Sequence, residues 1–382
     1  MWVKIKLPIK FTRNNFKTIN WITVLLIMLV IAGCAQAPKF EQGISFYPPP
    51  PGIPRIQFLT SITNEADIGA EYDEFKEFIS GKKELKKIIS RPWDMEHEPG
   101  KLYVVDKNFG MVVIVDFENS AFEYLSDTGG GALKNPGGLF IARGGYKYIA
   151  DQGRNQVLVY DGSNRFVRAY EAEPEFRPLD VVVSDDRVYA TDVNKNEIKI
   201  FDRETGEIRG TIDGLEENGG ELRTPTSLAI DADGFIYVTD FLNFRVQKFD
   251  GAGNYIRTMG EPGDFPGSMP RPKGIAVDRE QHLYAVDSAF EMVQIFDTEA
   301  GDALLSFGKF GSASGGSWLP AGIHIDYDNL EYFSRYVDPR FKAKYLIYVA
   351  NQSGPFKINV FAFGDWQGEQ QLPGVRKQTT GN

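Results

Sequence analysis

The chain has 382 residues, 42% of them apolar and 13% aromatic, enough to bury a sizeable core, which excludes a disordered chain. Its formal charge is −10, and because residues 1–33 carry five basic side chains and no acid, the remainder sets 37 basic groups against 52 acidic ones. Such a body repels phosphate backbones, so no nucleic acid is expected as a partner. A single cysteine, Cys34, excludes intramolecular disulfides and thiolate zinc clusters.

Lys4, Lys6, Lys10, Arg13 and Lys17 precede an almost unbroken apolar run from Trp21 to Ala32. Basic residues followed by about a dozen apolar ones are the layout of a secretory signal, too short to span a bilayer comfortably. The run ends Ile31-Ala32-Gly33-Cys34, which resembles the bacterial lipobox. The resemblance implies removal of a signal peptide over 1–33 and acylation of Cys34. With Ala35 rather than Asp next, it also implies anchorage in a bacterial outer membrane, facing periplasm or cell surface. Two or three acyl chains hold a protein on lipid where one does not, so a tethered chain is expected. Residues 34–54 include Tyr47-Pro48-Pro49-Pro50-Pro51-Gly52, a composition that predicts a semi-rigid stalk.

Within 55–90, the alternation of apolar and polar residues from Pro54 to Ile62 predicts a strand. Ile68, Tyr72, Phe75, Phe78 and Ile79 then recur at helical spacing among Lys76, Lys82, Lys83, Lys86 and Lys87. That pattern predicts a short helix on the flank of the body, with a membrane-surface or partner-docking helix as the alternative.

From 91 to 364 the chain repeats itself. An opening proline recurs as Pro92, Pro136, Pro178, Pro225, Pro272 and Pro320, at intervals of 42 to 48 residues. An acid closing the second apolar run recurs as Asp106, Asp151, Asp192, Asp240 and Asp287, each 14 or 15 residues after its proline. Asn351 takes the sixth place after a 16-residue insertion at about 327–342. Short apolar runs separated by Asp-Gly and other glycine turns are strands joined by hairpins. Six such units without a long helical pattern predict an all-β, six-bladed β-propeller. The strand at Pro54 to Ile62 is expected to join the sixth blade and close the ring, leaving 365–382 as a polar tail.

Three stretches carry a family resemblance: Gly274-Ile275-Ala276-Val277-Asp278, Leu283-Tyr284-Ala285-Val286-Asp287, and Asp240-Phe241-Leu242-Asn243-Phe244-Arg245-Val246-Gln247-Lys248-Phe249. They resemble NHL repeats, and the likeness extends over 92–363, strongest in the fourth and fifth units. The Trp93-Asp94 dipeptide opens a unit instead of closing one, which sets WD40 repeats aside.

In a propeller the repeat acids would ring one face near the central channel. Asp106, Asp151, Asp192, Asp240, Asp287 and Asn351 could offer oxygen ligands to Ca²⁺ or Mg²⁺ there, but their occurrence once per blade argues for capping backbone N–H groups and pairing with Arg245. No other cofactor is expected. His97 and His282 fall in hairpin turns and His324 in an inner strand, a scatter that reads as too dispersed for a catalytic centre. No HExxH, GxSxG, P-loop or GxGxxG pattern is present.

The connections after the repeat acids carry Phe109, Phe241, Phe244, Phe290 and Phe356, and the insertion adds Tyr332, Tyr336 and Phe341. Phe241, Phe244, Phe290, Tyr332, Tyr336 and Phe341 are the candidate partner-binding rings, on the expectation that the insertion folds toward the same face. The function expected is a lipid-anchored, non-enzymatic protein-binding or assembly module with an envelope protein as partner. Lactonases and lyases resemble this fold, which makes a metal-dependent hydrolase or lyase working at the central channel the alternative, with no catalytic residue assigned.

Overall fold

A computed structural model describes residues 45–70, 87–125, 129–214 and 220–368. The signal segment, Cys34, the first part of the stalk, most of the helix expected within 64–90 and the chain beyond 368 lie outside the described residues.

Each of the first five repeats folds into a four-stranded antiparallel blade, as in blade four with Pro225–Ile230, Ile236–Asp240, Arg245–Phe249 and Tyr255–Met259 from the inside outward, and the sixth supplies three strands, Pro320–Asp326, Phe341–Asn351 and Ile358–Trp366. The inner strands touch in a closed ring, with Pro320–Asp326 of blade six against Pro92–Glu98 of blade one. The two marks of the repeat face each other across the first hairpin: Pro92 opposite Asp106, Pro136 opposite Asp151, Pro225 opposite Asp240, Pro272 opposite Asp287, and Pro320 opposite Asn351. Proline is tolerated because it opens its strand, where a missing N–H breaks no interior ladder bond.

The second strands are apolar at consecutive positions because a blade is covered on both faces. In blade one, Leu102 and Val104 join the buried cluster shared with blade six, while Tyr103 and Val105 join the cluster shared with blade two. Six such clusters fill the six interfaces between blades.

Ile56–Ile62 closes the ring by pairing antiparallel with Ile358–Trp366 of blade six. The stalk expected to run to residue 54 ends sooner, because Ser45–Tyr47 adds a further strand outside the closing one. Its rings find apolar partners there: Phe46 packs on Trp366 at 5.2 Å between centroids and on Phe341 at 6.1 Å.

The insertion leaves the inner strand of blade six at Asp326 and straps the same seam. Asn329 accepts the Gly100 N–H at 2.6 Å and donates to the Glu98 carbonyl at 3.2 Å, both in blade one. The Tyr332 hydroxyl donates to the Ile68 carbonyl at 2.8 Å, and Gln57 of the closing strand donates to the Tyr336 carbonyl at 2.9 Å.

Candidate functional site

Strand direction divides the functional residues between two faces. Inner strands start, and second strands end, at one end of the ring, here the proline face; the hairpins joining first to second and third to fourth strands lie at the other, the hairpin face. Phe241, Phe244 and Phe290 follow repeat acids and so lie on the proline face, whereas the insertion belongs to the hairpin face. The six candidate rings therefore do not converge on one sector. Phe341 is buried, Tyr332 lies 4.7 Å from Phe117 between ring centroids, and Tyr336 packs against the same core. Three of the six fasten the seam, because a long segment crossing two blades buries its rings to stay in place. Phe241 and Phe290 remain partly exposed and Phe244 is exposed.

The repeat acids are buried staples between the start of one hairpin and the loop before it. Asp106 accepts the N–H groups of Ser90, Arg91, Asn108 and Phe109 at 2.6 to 3.2 Å. Asp151 accepts those of Lys134, Asn135 and Gly153, and Asp287 those of Arg271, Ala289 and Phe290. Asp192 accepts from Arg177 and Asn194, and Asn351 from Trp318. Asp240 takes the Arg223 N–H at 2.6 Å and the Arg245 guanidinium at 2.8 Å. All six bind backbone N–H groups of their own blade, so the geometry gives them the capping role, although Asp192 Oδ2 and Asn351 Nδ2 stay buried without a hydrogen-bond partner.

The proline-face mouth of the channel is rimmed by the residues before and after each opening proline and after each repeat acid. Across the six blades these positions hold Arg91, Lys107, Arg177, Arg271 and Lys273, and no acid. None of the five takes part in an ion pair among the described residues. Lys107 and Lys273 both lie over the Trp93 ring, at 5.2 and 5.6 Å from its centroid, and Lys273 is 5.0 Å from that of Phe241. Burial pulls the Lys107 ammonium down to about 8, and burial together with Arg271 lowers Lys273. The Thr226 hydroxyl beside them is buried without a hydrogen-bond partner.

Below the mouth the channel narrows at the second residue after each proline: Asp94, Gly138, Asp180, Ser227, Gly274 and Gly322. Asp94 accepts the Leu139 N–H of the next blade at 2.8 Å, and Asp180 accepts the Leu228 N–H at 2.8 Å and the Ser227 hydroxyl at 3.0 Å. The glycines are required by space: a Cβ on Gly138 would stand 1.7 Å from Asp180 Oδ1, and one on Gly322 2.4 Å from the Trp93 carbonyl oxygen. Burial raises Asp94 to about 6, and burial reinforced by the Asp94 charge raises Asp180 well above the ordinary carboxylate range.

Beyond this constriction a chamber of about 130 Å³ opens toward the hairpin face, lined by Glu96 and His324. His97 Nδ1 lies 2.6 Å from His324 Nε2, and His97 Nε2 lies 3.2 Å from Asp328 Oδ2 and 3.3 Å from Asp326 Oδ1. His324 Nδ1 is 3.6 Å from Glu96 Oε1. Asp326 is itself held by the Tyr348 hydroxyl at 3.0 Å and the Asn329 amide at 2.7 Å. Burial and the neighbouring His97 keep His324 neutral, and burial followed by Asp94, Asp180 and Asp326 raises Glu96. The expectation of scattered histidines is thus corrected for two of the three, since ring closure joins blade six to blade one. Their sequence signal was depth: Glu96 and His324 each stand four residues after an opening proline. His282 stays apart, paired with Asp278 at 2.9 Å.

Residues 222–249, in the fourth blade, match the NHL repeat family model. No curated protein matches the chain in sequence. Among solved structures, an inactive variant of virginiamycin B lyase from Staphylococcus aureus, crystallised with quinupristin, is 14% identical with a TM-score of 0.50, over 72% of this chain and 96% of its own. A streptogramin B lyase structure, also 14% identical with a TM-score of 0.50, covers 74% of this chain and 85% of its own. At that identity the likeness is one of fold. The molecule is a six-bladed β-propeller, and the first three strands of its fourth blade match an NHL repeat.

Proposed function

We propose that this protein is a membrane-tethered binding module that captures a partner protein through an acidic segment seated on the proline-face mouth. The observation that carries the reading is the local reversal of charge. A chain of formal charge −10 places five cations and no acid on the rim of one mouth, and none of the five forms an ion pair among the described residues. Cations within reach of an aromatic face, beside an unused buried hydroxyl, suit a carboxylate-bearing ligand. Exposed Phe109, Leu242 and Phe244 on the same face supply apolar contact around the charged centre. The fold shared with lyases brings no activity with it, since chemistry resides in the site rather than the architecture.

In this reading the lipid on Cys34 keeps the propeller at a bacterial outer membrane, where capture becomes assembly at a surface. Mass spectrometry of the mature protein tests the anchor: acylated Cys34 at the N-terminus is expected, and an unmodified chain with residues 1–33 intact would contradict it. Titrating the full-length protein with a fluorescent oligoglutamate peptide tests the mouth. Saturable binding that weakens as salt screens the charges is expected. No binding at low ionic strength would contradict the reading.

A further inference from the structure

We propose that Glu96, His97 and His324 form a binding site for one divalent first-row transition-metal ion, zinc by preference, at the hairpin end of the channel. A nitrogen from each imidazole and an oxygen of Glu96 lie within 4.8 Å of one another. Two imidazoles and one carboxylate make a donor set suited to zinc and its neighbours, whereas Ca²⁺ and Mg²⁺ want oxygen alone. All of the histidine this chain could bring to such a site is here, apart from His282, which is engaged with Asp278.

The surroundings are those of a supported ligand. His97 turns Nε2 toward Asp326 and Asp328, so that its Nδ1 lone pair faces His324; a metal-bound imidazole is held in this way, by a carboxylate on its other nitrogen. Asp326 is in turn fixed by Tyr348 and Asn329, so the orientation is built into the seam. The carboxylates of Asp326 and Asp328 lie on the far side of His97, at 3.3 and 3.2 Å from its Nε2. Two nitrogens on one zinc at about 2.0–2.1 Å each stand roughly 3.3 Å apart in tetrahedral geometry, so the rings need part by less than about 1 Å from their present contact. The chamber beside Glu96 and His324 leaves room for water or a small ligand on the open side of the ion.

The molecule contains its own negative control. Glu173, Asp192 and Glu197 also bring three carboxylates together, but Lys195 and Lys199 bind Glu173 at 2.6 and 2.8 Å and Lys199 binds Glu197 at 2.8 Å, so two ammonium groups already offset most of the charge a cation would neutralise, and the cluster holds no imidazole.

The test is titration of chelator-treated full-length protein with Zn²⁺, by calorimetry, and with Co²⁺, by visible absorption. One equivalent of uptake, cobalt bands and a raised thermal midpoint with zinc are expected. His97→Ala and His324→Gln should each weaken uptake by at least about a hundredfold, and Asp326→Asn, which removes the buried one of the two carboxylates facing His97 Nε2, by up to roughly tenfold. Glu173→Gln should change nothing. X-ray absorption of the zinc-loaded wild type, which depends on no variant, should show imidazole scattering. Absence of saturable uptake, undiminished uptake in folded His97→Ala and His324→Gln, or a zinc shell without imidazole would overturn the assignment.

Discussion

The two ends of one channel are built from equivalent positions of the same repeat, yet they present opposite chemistry. At the proline end, the ammonium groups of Lys107 and Lys273 stand over Trp93, and neither forms an ion pair among the described residues. At the hairpin end, two imidazoles are enclosed by Glu96, Asp326 and Asp328. Between them lies the layer of Asp94, Asp180 and Ser227, which lines both the mouth and the chamber. The lesson is that a repeat fixes where side chains point, while single substitutions along it set what each end can hold. A whole-chain charge of −10 conceals both.

The strongest way to break this arrangement is to fill the partition. Gly138→Ala puts a methyl group onto Asp180 Oδ1 and within 2.8 Å of the Asp180 Cα, so neither a rotamer change nor a small shift relieves it. A stability loss of about 3 kcal/mol is expected from chemical denaturation, at the upper end for overpacking. A loss below about 0.5 kcal/mol would mean that the layer is not tight.

The next effect sharpens the contrast through pH. Lys107 in the free protein titrates at about 8 because burial disfavours its charge. An acidic ligand favours the protonated form, so its affinity is full below that value and falls severalfold as pH rises through it; Lys273 is lowered in the same direction. Oligoglutamate titrations from pH 7 to above 9 check the sign, and an affinity that rises across this range would refute it.

The smallest effect concerns Phe244, which holds φ at 60°, where the equivalent turns of blades one to three use Gly110, Asn155 and Asn196. A bulky residue is strained there. Phe244→Asn should raise stability by about 1 kcal/mol or less while weakening capture of the physiological partner. A lowered thermal midpoint would show that the ring is needed for packing.

Much of this was legible in the chain. Spacing from Pro92 to Pro320 and the acids opposite those prolines established the blades, because each mark does a local job in its own hairpin. The alternation of Ile56 to Ile62 likewise announced the closing strand. What escaped was what depends on neighbours distant in sequence. His97 and His324 are 227 residues apart and meet only because the ring closes. The face of the insertion is set by the direction of the inner strand it leaves at Asp326, not by the rings within it, so its aromatic composition does not reveal that it lies opposite Phe241, Phe244 and Phe290. The basic mouth was hidden because its cations are spread over three repeat positions in different blades, and no single stretch reads as basic.

The most direct test of capture at the proline face is a pair of matched charge reversals, each titrated with the same oligoglutamate peptide. Lys107→Glu/Lys273→Glu alters the basic mouth, whereas Asp185→Lys/Asp233→Lys changes exposed loops of the hairpin face by an equal and opposite amount. We predict at least about a tenfold loss of affinity for the first, corresponding to roughly 1.4 kcal/mol, and no loss for the second. An unchanged affinity in the first variant would contradict a binding site at the mouth.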